Sequence, residues 1–191
     1  MASPIILNSA FSVVSYNGGP LKGVNGIENL LKVLPGEKSR PISSRNGTNF
    51  DLVLEYKNPE TSGPNKFTLT HVVVMAPDYS LVTAPTKNGM VWVIDAESTH
   101  SFAEFNDMTE GDYLTAEEKA SPRPIFFDIR RHADDAVSVV PKDCKSTGNR
   151  VHIKFVSSHG DDGNIDMGPI YLLGFHGEAP DKYVPLSMDS Q

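Results

Sequence analysis

Fifteen glycines and fourteen prolines are spread along this 191-residue chain, and their spacing limits its fold more than any other feature. Proline removes a backbone donor and clashes with the preceding helical turn, so a chain interrupted this often has little room for long helices. The pieces between the interruptions are short, apolar and rich in β-branched and aromatic residues. Residues 50–56 (FDLVLEY) alternate with Phe50, Leu52, Leu54 and Tyr56 on one face, and 150–157 alternate with Val151, Ile153 and Phe155. Segments 10–16, 66–75, 89–96, 124–129, 136–140 and 169–174 read as strands by the same rules. Between two of them, residues 58–65 (NPETSGPN) are expected to form a hairpin loop.

Two stretches have helical character. In 26–33, Ile27, Leu30 and Leu31 stand at helix-like spacing and predict one or two turns packed under a sheet. Residues 109–120 are acidic with few apolar positions and are expected as a solvent-facing loop or a short helix. Strands without long intervening helices cannot build a parallel βαβ sheet, so the expected fold class is all-β, an antiparallel β-sandwich. The expected organisation is an N-terminal extension over 1–9, one sandwich over 10–178 and a C-terminal tail over 179–191, ordered at first and disordered at its end. Trp92, the only tryptophan, is expected in the core.

Charge removes several functions. Seventeen Lys and Arg against 24 Asp and Glu leave a net −7, which argues against nucleic acid or an anionic membrane surface as the main partner. No segment approaches the ~20 apolar residues of a membrane span, and the first residues lack the pattern of a signal peptide, so a cytoplasmic location is expected. One cysteine, Cys144, permits no intrachain disulfide. Flanking lysines could lower its pKa, but no resolving cysteine is present, and an inert thiol is expected.

Catalytic motifs are missing: there is no G-x-S-x-G, no H-E-x-x-H and no G-x-x-x-x-G-K-[ST]. Asp162, Asn164 and Asp166 alternate as calcium ligands would, yet Met167 and Leu173 stand where an EF-hand needs Gly and Glu, so a polar turn is expected there. Six histidines are too dispersed for a zinc signature, and His71 and His152 are expected at the edge of the core or on the surface. Neither a metal nor a cofactor is expected. The densest basic spot is Arg130-Arg131-His132, directly after a strand, and Arg45 and Asn46 lie in a polar loop. Guanidinium groups present a fixed fork of donors suited to carboxylates or sugar hydroxyls.

The order of these features resembles the galactose-binding-like superfamily, the discoidin or Doc type of jelly-roll sandwich. An early strand is followed by a turn reading Glu28-Asn29-Leu30-Leu31, then by Phe50-Asp51-Leu52-Val53-Leu54, and the chain closes with Arg150 to Phe155 and Ile170 to Phe175. The resemblance covers roughly residues 10–178 and implies a galactose-binding-domain-like sandwich with one or two helical turns. Superfamily members of this kind bind protein assemblies or sugars. Lys32 stands where the family often has Asp before its ligand loop, so calcium is not implied at that position.

The expected function is a non-catalytic intracellular module that binds a protein partner through loops at one end of the sandwich. A carbohydrate-binding module is the alternative. The candidate ligand-binding residues are Arg45, Asn46, Arg130, Arg131, His132 and Asp162, with Tyr16 or Tyr79 as a stacking face. The candidate loops are 18–25, 43–49, 130–135 and 159–164, and the sequence alone does not establish that they share an end.

Overall fold

The computed structural model describes residues 2–17, 26–32, 42–44, 49–60, 62–97, 108–119, 122–160 and 163–183, without the side chains of 110, 114 and 117–119. One sheet contains β2 (Phe11–Tyr16), β4 (Phe50–Tyr56), β10 (Arg150–Ser158), β6 (Thr86–Ile94) and β7 (Ile125–Asp128), in that order. The facing sheet has the order β1 (Ile5–Ile6), β12 (Ile170–His176), β5 (Phe67–Met75), β8 (Asp135–Val139), with β9 (Thr147–Gly148) also on β5. A short ribbon of β3 (Ile42–Ser43) and β11 (Asp166–Met167) completes the described strands. The ladders of these sheets are antiparallel, as expected from the sequence.

Alternation in the sequence becomes burial in the fold. Phe50, Leu52, Leu54 and Tyr56 are fully buried, as are Val151, Ile153 and Phe155 on the neighbouring strand, so both runs face the same core. From the other sheet Phe67, Leu69, Val72, Val74, Ile170 and Leu172 fill it. At one end of the core the rings of Phe11, Tyr56 and Phe67 meet across the two sheets at centroid distances of 5.0 to 5.5 Å. The turn expected at 26–33 is a 3-10 helix, Ile27–Leu31, burying Ile27, Leu30 and Leu31. Buried Asn8 fastens it, with Nδ2 donating to the Leu31 and Ile170 carbonyls and Oδ1 accepting from the Leu172 amide.

Several expectations are corrected. Residues 58–65 do not close a hairpin: β4 and β5 lie in different sheets, and the loop between them crosses the sandwich. Local turn chemistry is present, since Asn58 donates to the Pro64 carbonyl and its amide donates to Asn65 Oδ1. Pairing, however, is decided by the apolar faces, which match β4 to β10 and β5 to β12. Within the segment expected as an N-terminal extension, β1 pairs with β12 and Leu7 is fully buried. Beyond 178, Tyr183 bridges to Ala2 and packs on Phe175, while the tail expected as disordered lies outside the described residues. The last strand does not stop at Gly174 but runs on to His176. A Cβ at Gly174 would stand 1.9 Å from the Thr68 carbonyl oxygen at a bulge in the ladder, so the close approach of backbones requires glycine.

The stretch expected as a solvent-facing loop or a short helix is the short helix α1 (Glu110–Lys119), and it lies on a sheet face rather than free in solvent. Thr109 and Asp112 cap it reciprocally: Asp112 Oδ2 accepts from the Thr109 amide and hydroxyl, and Thr109 Oγ1 accepts from the Asp112 amide. Tyr113 and Ala116 pack with Met90, Trp92, Met108 and Val156 in a second apolar cluster on the outer face of the β2-to-β7 sheet. Trp92 is therefore buried, as expected, but in this cluster rather than between the sheets.

His71 is also deeper than expected, 3% exposed, and burial holds its pKa below the usual 6.5. A histidine kept neutral in the folded chain takes up a proton more readily when unfolded. Stability due to His71 is therefore complete above about pH 6.5 and declines as pH falls below it. Thermal melts of His71→Gln between pH 7.5 and 5.5 should show a shallower loss of Tm than the wild-type chain. Urea titration should find Ile153→Ala less stable by about 2–5 kcal/mol, and Leu81→Ser, at an exposed position, within about 0.5 kcal/mol.

Candidate functional site

The register of the strands collects the roots of the candidate loops at one end. β2 ends where β4 begins, with Tyr16 opposite Leu52, and β10 ends beside the starts of β4 and β6, with Phe155 opposite Phe50 and Ser158 opposite Thr86. β7 ends opposite Asn88, while in the facing sheet Met75 stands opposite Asp135 and Val74 opposite Ile170. Residues 129–134 join the two sheets at this end, anchored by the Ile129 amide on the Lys87 carbonyl at 2.7 Å. Asn17, Asn49, Gly160 and Gly163, which flank the remaining parts of the candidate loops, stand at the same end.

Within this end, Arg130, Arg131 and His132 are exposed, and His132 has φ of 68°. That left-handed conformation is uncommon for a residue with a Cβ and is held by its surroundings. The His132 amide donates to Tyr79 Oη at 3.2 Å, and the two rings lie 5.4 Å apart. Behind them His159 Nε2 sits 2.7 Å from the Ile129 carbonyl, which ties the loop after β10 to the root of the arginine turn. Tyr16 is exposed at the other side of this end and leans on Phe50, centroids 6.2 Å apart. Arg130, Arg131, His132 and Tyr79 are thus brought together; Arg45, Asn46 and Asp162 lie outside the described residues.

Asp166 is a fastener. It is 2% exposed; Oδ1 accepts from Asn164 Nδ2 at 2.8 Å and from the Ser43 hydroxyl, and Oδ2 accepts from the amides of Thr83 and Ala84. Four donors leave the carboxylate little capacity for a cation, and their effect is to tie three loop roots together. Cys144 is buried, and its pKa is raised by burial and then by Asp143, with Arg123 opposing; the lysines flanking it in sequence do not lower it.

A second polar centre was not legible in the sequence. On the outer face of the β2-to-β7 sheet, Lys154, 1% exposed, donates to both oxygens of Asp51 at 2.9 and 2.8 Å, and His152 Nε2 lies 2.8 Å from Asp51 Oδ1. Neither His152 nor Lys154 is at the surface; of the two places expected for His152, the edge of the core and the surface, it takes the first. Burial pushes the Asp51 carboxyl up, but hydrogen bonds from His152 and Lys154 and their charges outweigh it and hold the pKa below its usual value. Asn17 joins the cluster: its amide nitrogen donates to Asp51 Oδ2 at 2.7 Å and to the Asn49 carbonyl, and its oxygen accepts from the Asp51 amide. The cluster thereby anchors the roots of the loops that follow β2 and precede β4. Period-two alternation did place Asp51, His152 and Lys154 opposite the apolar face, but only the β4–β10 register sets Asp51 across from Lys154.

No family model matches the chain, and a search of curated proteins finds no match. Solved structures share its fold. The C-terminal domain of a chitobiase from Bacteroides fragilis superposes with a TM-score of 0.57 at 9% identity, covering 92% of this chain and 100% of that domain. CBM32-3 from a family 31 glycoside hydrolase of Clostridium perfringens gives 0.55 at 6% identity, covering 90% and 94%. The fold is that of the galactose-binding-like β-sandwich domains.

Because Lys154 is buried, removal of its counter-charge should be severe. Asp51→Ala is expected to cost about 3–5 kcal/mol in chemical denaturation, and Asp51→Leu combined with Lys154→Met to recover most of that loss. The depressed Asp51 pKa adds stability that is present above the ordinary value of 3.8 and lost as pH falls through the lower folded-state value. Acid titration of wild type against the apolar double variant should isolate that contribution.

Proposed function

We propose that this chain is a non-catalytic carbohydrate-binding module that holds a glycan against the loop end of its sandwich. The observation that carries the reading is the group formed by Arg130, Arg131, His132 and Tyr79, exposed cations beside an aromatic ring at the end where the loop roots converge. A sugar presents ring hydroxyls and an apolar face. Arginine supplies directional donors for the hydroxyls, and an aromatic ring supplies area for the face. His132, fixed in its left-handed conformation, holds the turn so that the arginines are presented from a rigid base. Arg45, Asn46 and Asp162 belong to loops rooted at the same end and complete the proposed set.

A protein partner, the expectation from sequence, would use the same donors. The carbohydrate reading is preferred because CBM32-3 is part of a glycoside hydrolase and shares the sandwich over most of its length. Binding without chemistry also fits a chain in which no catalytic motif is found.

A glycan array followed by calorimetry tests the proposal. The wild-type chain should give a specific set of hits, and Arg130→Ala/Arg131→Ala and Tyr79→Ala should each lose them. The arginine variant should keep its stability within about 0.5 kcal/mol, since both side chains are exposed. A silent array for the wild-type chain, or hits that survive both variants, would overturn the glycan reading.

A further inference from the structure

The exposed edge of β8 is built differently from the other edges of the two sheets. β1 is only two residues long, β2 carries a bulge between Val13 and Ser15, and the Phe126 carbonyl of β7 accepts from Ser138 Oγ at 2.7 Å. Such features blunt an edge. β8 has five residues in unbroken register with β5, and no proline, lysine or bulge interrupts it. Its bonds to β5 fall on even-numbered positions: the Asp134 carbonyl accepts from the Ala76 amide, and the Val140 amide donates to the Thr70 carbonyl. In an antiparallel ladder the alternate residues then turn their N–H and C=O groups away from the sheet, and these are Asp135, Val137 and Val139. Val137 and Val139 are also exposed, 38% and 64%, in a row with Val73 and His71 and, one strand further, Tyr171 and Leu173.

We propose that β8 pairs antiparallel with β8 of a second copy of this chain, about a two-fold axis at Ser138, making one continuous sheet across the dimer. In that register Val137 faces Val139 of the second copy, so outward amides meet outward carbonyls in both halves and the four valines pack in cross-strand pairs. The charges at the strand ends agree with it: exposed Asp134 comes opposite exposed Lys142 of the second copy, once on each side of the axis. Among the described residues neither Asp134 nor Lys142 is engaged in an ion pair within the chain. A shift by one residue would set outward amides against inward ones. The proposed register leaves Pro141, which has no N–H, opposite Asp135 just beyond the two valine pairs, and a shift by two in either direction separates the charges, setting Asp134 opposite Val140 or Cys144 of the second copy.

Sedimentation equilibrium of the full chain over a wide concentration range reads the association directly. The expected result is a reversible monomer–dimer equilibrium, weakened at least tenfold by Val139→Lys and by Val139→Pro, which deletes an outward N–H while sparing the bonds to β5. Asp134→Lys and Lys142→Asp should each weaken the dimer, and the double exchange should restore it, because the two-fold axis places each residue opposite the other. Circular dichroism and thermal melts identify any variant that has lost its fold, and the surface charge exchange gives a readout independent of the valine changes. A wild-type chain that stays monomeric throughout, a dimer indifferent to both Val139 variants, or a charge exchange without restoration would overturn the proposal. Glycan binding does not enter this measurement, so its failure and that of the carbohydrate reading are separable.

Discussion

Lys154 lies in the middle of a sheet face with 1% of its surface exposed, and an ammonium so far from water persists only where a counter-charge and hydrogen bonds replace its hydration. Asp51 supplies both through a two-oxygen contact, and Asn17 and His152 occupy more of the same carboxylate. Around this centre the outer face is apolar, with Met90, Trp92 and Val156 covered by Tyr113 and Ala116 of α1. The ion pair and its cover depend on one another: apolar cover keeps water out, and the pair makes a buried polar patch tolerable beneath it. The Trp92 ring lies 5.4 Å from the His152 ring and joins the two regions.

The same economy recurs at the loop end. Asp166 and Asn8, both buried, direct their side-chain hydrogen bonds to other segments, Asn8 to backbone groups alone and Asp166 to two backbone amides and two side chains. Each ties segments distant in sequence, Asp166 joining residues 43, 83, 84 and 164, and Asn8 joining 31, 170 and 172. Loops rooted in this way can carry exposed arginines without loss of shape, which is what recognition by a fixed donor geometry requires. Edge chemistry separates the two proposed surfaces: the arginine turn lies at one end of the sandwich, and the β8 edge runs along its side.

Strand content was legible because burial on one face imposes a period of two. The run 50–56 was identified with its boundaries, and 66–75 and 150–157 to within one residue. β6 begins three residues before the expected 89 because Thr86, Lys87 and Asn88 look like loop residues in sequence, whereas Thr86 and Asn88 are buried with their polar groups bonded to Asp166 and Ser157. The helix over 110–119 carried a weak apolar signal since only Tyr113 and Ala116 are described as buried in it, so its role as cover could not be read from the segment alone. Arg130, Arg131 and His132 were visible as a basic triplet, but the partnership of His132 with Tyr79 spans 53 residues and has no local trace.

The sequence by itself determined that this chain would be an antiparallel sandwich and which faces of its strands would be buried. Those properties follow from periodicity and composition, which act within a few residues or on the chain as a whole. The tertiary structure alone decided that residues 58–65 cross between sheets, that Asp51 neutralises Lys154, and that the loop roots share an end. These outcomes depend on which strands pair and in what register, and register is fixed by the collective fit of two apolar faces.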